Sequence, residues 1–249
     1  MSRKVISYGV LSDYEQDADG HTFFGAGNSA DGWTTTQDYS DPNPLTNFLR
    51  ALFRLPLEER ELTHSVGLKV HYRTGEDVDP TVGQKYHVDG GYQQDGVHGA
   101  SGTNMNRASW NVDFSLFDED GDFEGATIKV DIDPTGRKDF LVFHYDEDTE
   151  MFVAKDRNGD LRVLETGNGN GAEKGDVLQD SIDLMFFADL IDNDGNARNG
   201  FQEWDMEHGQ FDIEVSQIVE GFGGSIFGAH PIHSSVTVNV GDMLIPDMV

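Results

Sequence analysis

A chain of 249 residues with 46 acidic and 17 basic side chains carries a formal net charge of −29. Such a charge repels phosphate backbones and anionic bilayers, which sets the chain against nucleic acid and against membrane surfaces, and the lack of cysteine excludes disulfides, thiol catalysis and zinc–thiolate sites. Hydrophobic content is only 37%, yet 16 Phe and 3 Trp can fill a core, and the length suits one all-β domain spanning 1–249. The acidity fits solubility in salty or extracellular surroundings, where screening blunts self-repulsion, and it also suits multivalent cation binding.

The chain opens with MSRKVISYGVLSDYEQD. Arg3 and Lys4 precede an apolar run at the short limit for a leader, with no small-residue cleavage pattern after it, so residues 1–20 are expected to form an extended arm. In DPNPLTNFLRALFRLPLEER, Leu45, Phe48, Leu49, Leu52 and Phe53 recur at helical spacing. Asn43 can cap this helix, Pro44 suits its first turn and Pro56 stops it. We expect one short helix at 43–55 within an insertion at 43–62, its apolar stripe packed against the end of a sheet; a partner-binding helix is the alternative.

Strand patterns dominate the rest. VGLKVHY offers Val66, Leu68, Val70 and Tyr72 on one face. In ASWNVDFSLF, Ala108, Trp110, Val112, Phe114 and Leu116 alternate with Ser109, Asn111, Asp113 and Ser115, the period of a half-buried antiparallel strand. ATIKVDI, DFLVFHYD, MFVAKD, QFDIEV and SVTVNV follow, separated by turn signals: DEDGD, DPTG, DRNGD, GNGNG and DNDGN. Through DEDGD, the strand 108–117 is expected to form a hairpin with ATIKVDI. LMFFADLI from Leu184 is too short to cross a bilayer, so no membrane span is expected. The fold class this implies is mainly β: an antiparallel β-sandwich, jelly-roll-like, with one short helix.

An EF-hand needs oxygen ligands at positions one, three and five, Gly at six and Glu at twelve. With Gly121 at six, position one is Leu116; with Gly195, it is Leu190; with Gly20, position twelve is Ala26. None is an EF-hand. A looser Ca2+ site remains at Asp118, Asp120, Asp122 and Glu124, since clustered carboxylates repel unless a cation lies among them; the alternative is a solvated hairpin turn. Among nine histidines, His230 and His233 form HPIH in an expected loop, and His71 and His87 fall in or beside strands, none with an evident carboxylate partner in sequence. There is no Gly-x-Ser-x-Gly, Walker loop or dinucleotide fingerprint, and acids are too abundant for a glycosidase pair to stand out. Trp33, Trp204 and Tyr92 are the aromatic side chains that could stack on polysaccharide, or close the ends of the sandwich.

Four pieces, in order, carry a family likeness: FGAGNSADGWTT; VGLKVHYR with KYHVDGGYQ; RASWNVDFSLFDEDGDFEGATIKVDIDPTGRKDFLVF; and DVLQDSIDLMFF, GQFDIEVSQI and HSSVTVNVGD. From about His21 to Asp242 the chain resembles exported bacterial proteins of the PEP-CTERM and VPxxxP-CTERM kind, sorted by exosortase-like systems. The resemblance implies an extracellular or cell-surface β-sandwich and brings no catalytic residues with it. The chain departs from the pattern in lacking a leader and, at GDMLIPDMV, a sorting tail; either a trimmed mature domain or recruitment of the fold elsewhere is expected. The expected role is non-enzymatic, structural or adhesive, in a homo-oligomer or matrix assembly held by Ca2+. Alternatives are a virion capsid, decoration or tail protein, and a carbohydrate-binding module or matrix enzyme.

Overall fold

A computed structural model describes residues 33–39, 44–53, 62–72, 78–81, 83–95, 102–135, 137–164, 177–187, 190, 209–219 and 229–241. In chain order the elements are β1 (Thr34–Tyr39), α1 (Pro44–Leu52), β2 (Leu62–Tyr72), β3 (Lys85–Val88), β4 (Tyr92–Asp95) and β5 (Gly102–Ala108). There follow β6 (Trp110–Asp118), β7 (Thr127–Asp131), β8 (Phe140–Asp146), β9 (Met151–Lys155) and β10 (Leu161–Leu164). The last are β11 (Val177–Ile182), a 3-10 turn (Leu184–Phe187), β12 (Gly209–Val219) and β13 (His230–Val240).

The strands form a mainly antiparallel two-sheet sandwich, as the alternation predicts. One sheet has the order β1-β2-β6-β11; the other runs β10-β9-β8-β7-β12-β13-β3, and β4 pairs with β5 apart from both. β3 joins β13 in parallel, and every other pair of strands is antiparallel. Val66, Leu68 and Val70 of β2 and Trp110, Val112, Phe114 and Leu116 of β6 are buried from one side. Ile128 and Val130 of β7, Phe211, Ile213 and Val215 of β12, and Val236, Val238 and Val240 of β13 are buried from the other. Trp110 meets Phe211 with ring centroids 6.4 Å apart, and Phe114 meets Phe152 edge-on at 5.7 Å. Each buried ring is worth about 1.5–3 kcal/mol of transfer free energy, so these rings fix which faces meet.

The expected hairpin between β6 and ATIKVDI is not formed. β6 pairs with β2 and β11, whereas β7 pairs with β12 and β8 in the other sheet. The physical reason is that both strands carry an apolar stripe for the same core. An arch across the sandwich buries both stripes from opposite sides, and DEDGD becomes the crossover between layers.

The helix is present, but its stripe is not packed as expected. Phe48, Leu49, Leu52 and Phe53 are all exposed, Phe48 at 63% and Phe53 at 69%. HPIH is also strand rather than loop, since His230 to His233 pair with Val219 to Ser216 of β12. Pro231 is tolerated there because β3 pairs only with residues 237–240 of β13, so that among the described residues no strand is paired with that stretch on its other side. The GNGNG and DNDGN signals, and the arm at 1–20, lie outside the described residues.

Candidate functional site

The four acids nominated as calcium ligands do not share one environment. Asp118 is 3% exposed, whereas Asp120, Asp122 and Glu124 are exposed. Asp118 ends β6 on the same parity as Trp110, Val112, Phe114 and Leu116, so its carboxylate turns inward. Its Oδ1 accepts the Asp120 N–H at 2.9 Å, its backbone carbonyl accepts the Gly121 N–H at 3.0 Å, and Gly121 takes the positive φ of 70° that the turn requires. Its Oδ2 accepts Gln217 Nε2 from β12 at 2.8 Å and lies 3.0 Å from His64 Nε2 of β2. Asp118 thus ties both sheets together where the chain crosses between them. Burial pushes its carboxyl up, but hydrogen bonds from His64 and from the Asp120 backbone outweigh that and hold it below the usual carboxylate range. Asp122 Oδ1 closes a second turn by accepting the Glu124 N–H at 2.9 Å. Among the described residues no group of three or more His, Asp or Glu side chains is placed to hold a metal ion. A cation at this loop would be met by the exposed carboxylates of Asp120, Asp122 and Glu124, with Asp118 already engaged by protein donors.

A second cluster lies on the opposite face of the smaller sheet. Lys69, Asp113, Ser115 and Gln179 have no solvent exposure, and Asn111 has 6%. The register sets Lys69 and Ser181 on either side of Asp113, and His71 opposite Asn111. Ser181 Oγ donates to Asp113 Oδ1 at 2.7 Å, Asn111 Nδ2 donates to Ser181 Oγ at 2.8 Å, and His71 Nδ1 lies 2.8 Å from Asp113 Oδ2. The last contact has the distance of an ion pair but not the angle of a directed hydrogen bond. Serine, histidine and aspartate therefore meet here, but the carboxylate sits in the middle. Nucleophilic catalysis needs the imidazole between acid and hydroxyl, so that it can take the hydroxyl proton. Ser181 instead donates its hydroxyl hydrogen to the acid, which itself has no solvent exposure. This arrangement knits β2, β6 and β11 together.

Many other acids close turns in the same way. Asp133, Asp146 and Asp156 each accept the backbone N–H two residues on, at 2.8–3.0 Å. Asp156 also accepts the Asp160 N–H and the Arg162 guanidinium. Desolvation pushes its carboxyl up, but these bonds keep it low. Asp131, 1% exposed, is the exception in its titration. Burial raises its pKa to about 6, against N–H bonds from Asp133 and Asp139 and with the carboxylates of Asp212 and Asp133 nearby. Its folded pKa exceeds the unfolded value of about 3.9. The associated stability is therefore fully present below that value and is lost as pH rises through about 6. The full shift sets an upper bound of about 3 kcal/mol, and an effect on the order of 1 kcal/mol is expected. Asp131→Asn, which keeps the Oδ1 acceptor, is expected to raise stability at pH 8 by about 1 kcal/mol. It should make no difference near pH 4; urea melts at the two pH values check both.

The remaining nominated residues are dispersed. Trp33 is 1% exposed, so it packs inside and offers no face to a sugar ring. Tyr92 begins β4, while its side chain and all of Trp204 lie outside the described residues. His87 is exposed on β3, and His230 Nε2 lies 3.6 Å from Asp38 Oδ2. Sequence reasoning missed His64 and Gln217, although the same alternation could have found them. His64 shares parity with Val66 and Leu68, and Gln217 with Ile213 and Val215, so both are polar side chains set inward at strand ends. No protein-family model, no curated protein and no solved structure matches the chain.

Proposed function

We propose that this chain is a non-enzymatic β-sandwich with a structural or adhesive role outside the cell, assembling with further copies of itself and steadied by calcium at the β6–β7 crossover. The observation that carries this reading is the solvent-facing apolar stripe of α1, Phe48, Leu49, Leu52 and Phe53. A contiguous exposed apolar surface of this kind marks a contact with another molecule. Support for a non-catalytic role comes from the two polar clusters. Asp113 and Asp118 are buried, and each accepts a hydrogen bond from a side chain of another strand. The likeness to exosortase-sorted exported proteins supports the extracellular placement.

Sedimentation velocity at rising protein concentration tests the assembly. Species larger than the monomer are expected, and a strictly monomeric profile at every concentration, with and without calcium, would overturn the reading. Calcium is tested separately by thermal melting in millimolar calcium against excess EDTA. Binding at a concentration of about 100 Kd adds about 2.7 kcal/mol, so a clear rise in Tm is expected. It should vanish in the Asp120→Asn, Asp122→Asn, Glu124→Gln triple variant, which leaves Asp118 and its bonds in place. Equal melting in calcium and EDTA would remove calcium as a structural ligand.

A further inference from the structure

The outward face of the larger sheet is hollowed over β12 and β13. Asp212 and Glu214 of β12 stand opposite Thr237 and Ser235 of β13, on the side away from buried Phe211, Ile213 and Val236. Lys138 and Phe140, at the β7–β8 turn and the start of β8, wall this polar floor on one side. Gly83 and Gln84, just before β3, wall it on the other. The groove has a volume of about 160 Å³. A cavity of about 150 Å³ accepts a benzene ring, so this one takes a single six-membered ring.

Its charges are already matched. Lys138 Nζ lies 3.0 Å from Asp212 Oδ2, and Lys129 Nζ lies 2.6 Å from Glu214 Oε1. Around these pairs, Lys85 is exposed beside Thr237 and Asp131 is buried beside Asp212, one further charge of each sign. An ionic ligand would have to displace a partner already in contact. Hydrogen-bonding capacity, by contrast, is left over. Among the described residues Glu214 Oε2, the Ser235 hydroxyl and the Gln84 amide make no hydrogen bond, and the Lys138 ammonium keeps donors beyond the one facing Asp212.

Gln84 also holds a left-handed φ of 62°, and its carbonyl accepts the Thr237 N–H at 3.0 Å, which pins that backbone against β13. Residues other than glycine are uncommon in this region, and those kept there gather at ligand clamps. A carboxylate and an ammonium side by side are best met by a group that donates and accepts on one atom, as a hydroxyl does and an amide does not. Half-buried Phe140 adds an apolar wall for the C–H face of a ring.

We propose that this groove binds one residue of a neutral saccharide, held by Glu214, Ser235, Lys138 and Gln84 against Phe140. This deepens the adhesive reading above, on which it rests, by naming the chemistry that the surface would hold.

Amide-resolved NMR titration of the full chain tests it. The ligands are the methyl glycosides of glucose, galactose, mannose and N-acetylglucosamine, with inorganic phosphate and triglycine for comparison. At least one glycoside is expected to bind with millimolar affinity, the scale of a single ring in an open groove. It should shift the amides of Gln84, Phe140, Glu214 and Ser235, which phosphate and triglycine should leave in place. Glu214→Gln and Gln84→Gly should each weaken binding about fivefold, the worth of one hydrogen bond. Gln84→Gly removes the side chain and the unfavourable φ together, so its Tm is expected to match or exceed that of wild type. Absence of glycoside binding, shifts confined to another surface, a preference for phosphate or triglycine, or binding that neither variant weakens overturns the inference. Wild type that self-associates in sedimentation velocity but ignores every glycoside overturns the groove alone. Wild type that binds a glycoside in the groove yet stays monomeric supports the groove and overturns assembly alone.

Discussion

Asp113→Ala is expected to cost about 3–5 kcal/mol, the loss typical of removing one partner from a buried charged network. The side chain has no solvent exposure, and it serves Ser181 from β11 at 2.7 Å and His71 from β2 at 2.8 Å. Alanine would leave the Ser181 hydroxyl without its acceptor and the His71 ring without the carboxylate beside it, on a face that also buries Lys69 directly across the strand. Asp113→Asn preserves an acceptor for Ser181 and should cost distinctly less, about 1–2 kcal/mol, the scale of one impaired buried hydrogen bond. Chemical denaturation of both variants measures the difference. Equal losses, or a loss below about 1 kcal/mol for alanine, would show that the cluster does not hold β2, β6 and β11 together.

Asp118→Ala should follow closely, at about 3 kcal/mol. It releases the Asp120 N–H that caps the crossover, and it strips the fully buried Gln217 of the nearer of its two acceptors. Its pH dependence runs opposite to that of Asp131. The folded pKa of Asp118 is depressed, so its contribution is present above the ordinary carboxylate pKa of about 3.9. That contribution is lost as pH falls through the lower folded value. Wild type and variant should therefore differ most at neutral pH and converge in acid. Parallel stability curves from pH 7 down to 2 would contradict the assignment. The same geometry makes Asp118 a poor position from which to judge calcium, since its replacement weakens the fold whether or not an ion binds.

The core was readable from alternation alone. Trp110 through Leu116, Ile128 and Val130, and Phe211 through Val215 all face inward as a period of two demands. Alternation also contained the inward acid, because Asp118 continues the apolar parity of β6; an apparent turn residue was in fact the last core position of its strand. Two other features could not be read locally. Asn111, Asp113 and Ser115 alternate as a solvated face would, and only pairing with β2 and β11 reveals that they are buried among Lys69, Gln179 and Ser181. The partner of β7 was equally hidden. Tight-turn chemistry such as Asp-Gly suits a hairpin and an arch alike, and the choice is made by strands distant in sequence. For α1, periodicity gave the helix and its stripe but not what the stripe meets, since a helix that packs inward and one that faces a partner have the same spacing.

The strand order has a consequence for synthesis on the ribosome. β7, β8, β9 and β10 emerge well before β12, yet β7, the central strand of the larger sheet, takes β12 as its neighbour, and β12 and β13 lie between it and β3. β13 also reaches the first strand, where Ser234 Oγ donates to the Thr34 carbonyl at 2.6 Å and Thr36 Oγ1 to the His233 carbonyl at 2.6 Å. The nascent chain therefore displays a growing set of unpaired, half-apolar strands that cannot close into a sandwich until its final strands appear. Contacts so distant in sequence make folding slow. Through that interval the abundant negative charge keeps neighbouring nascent chains apart, so the acidity protects the protein before it has a fold as well as afterwards.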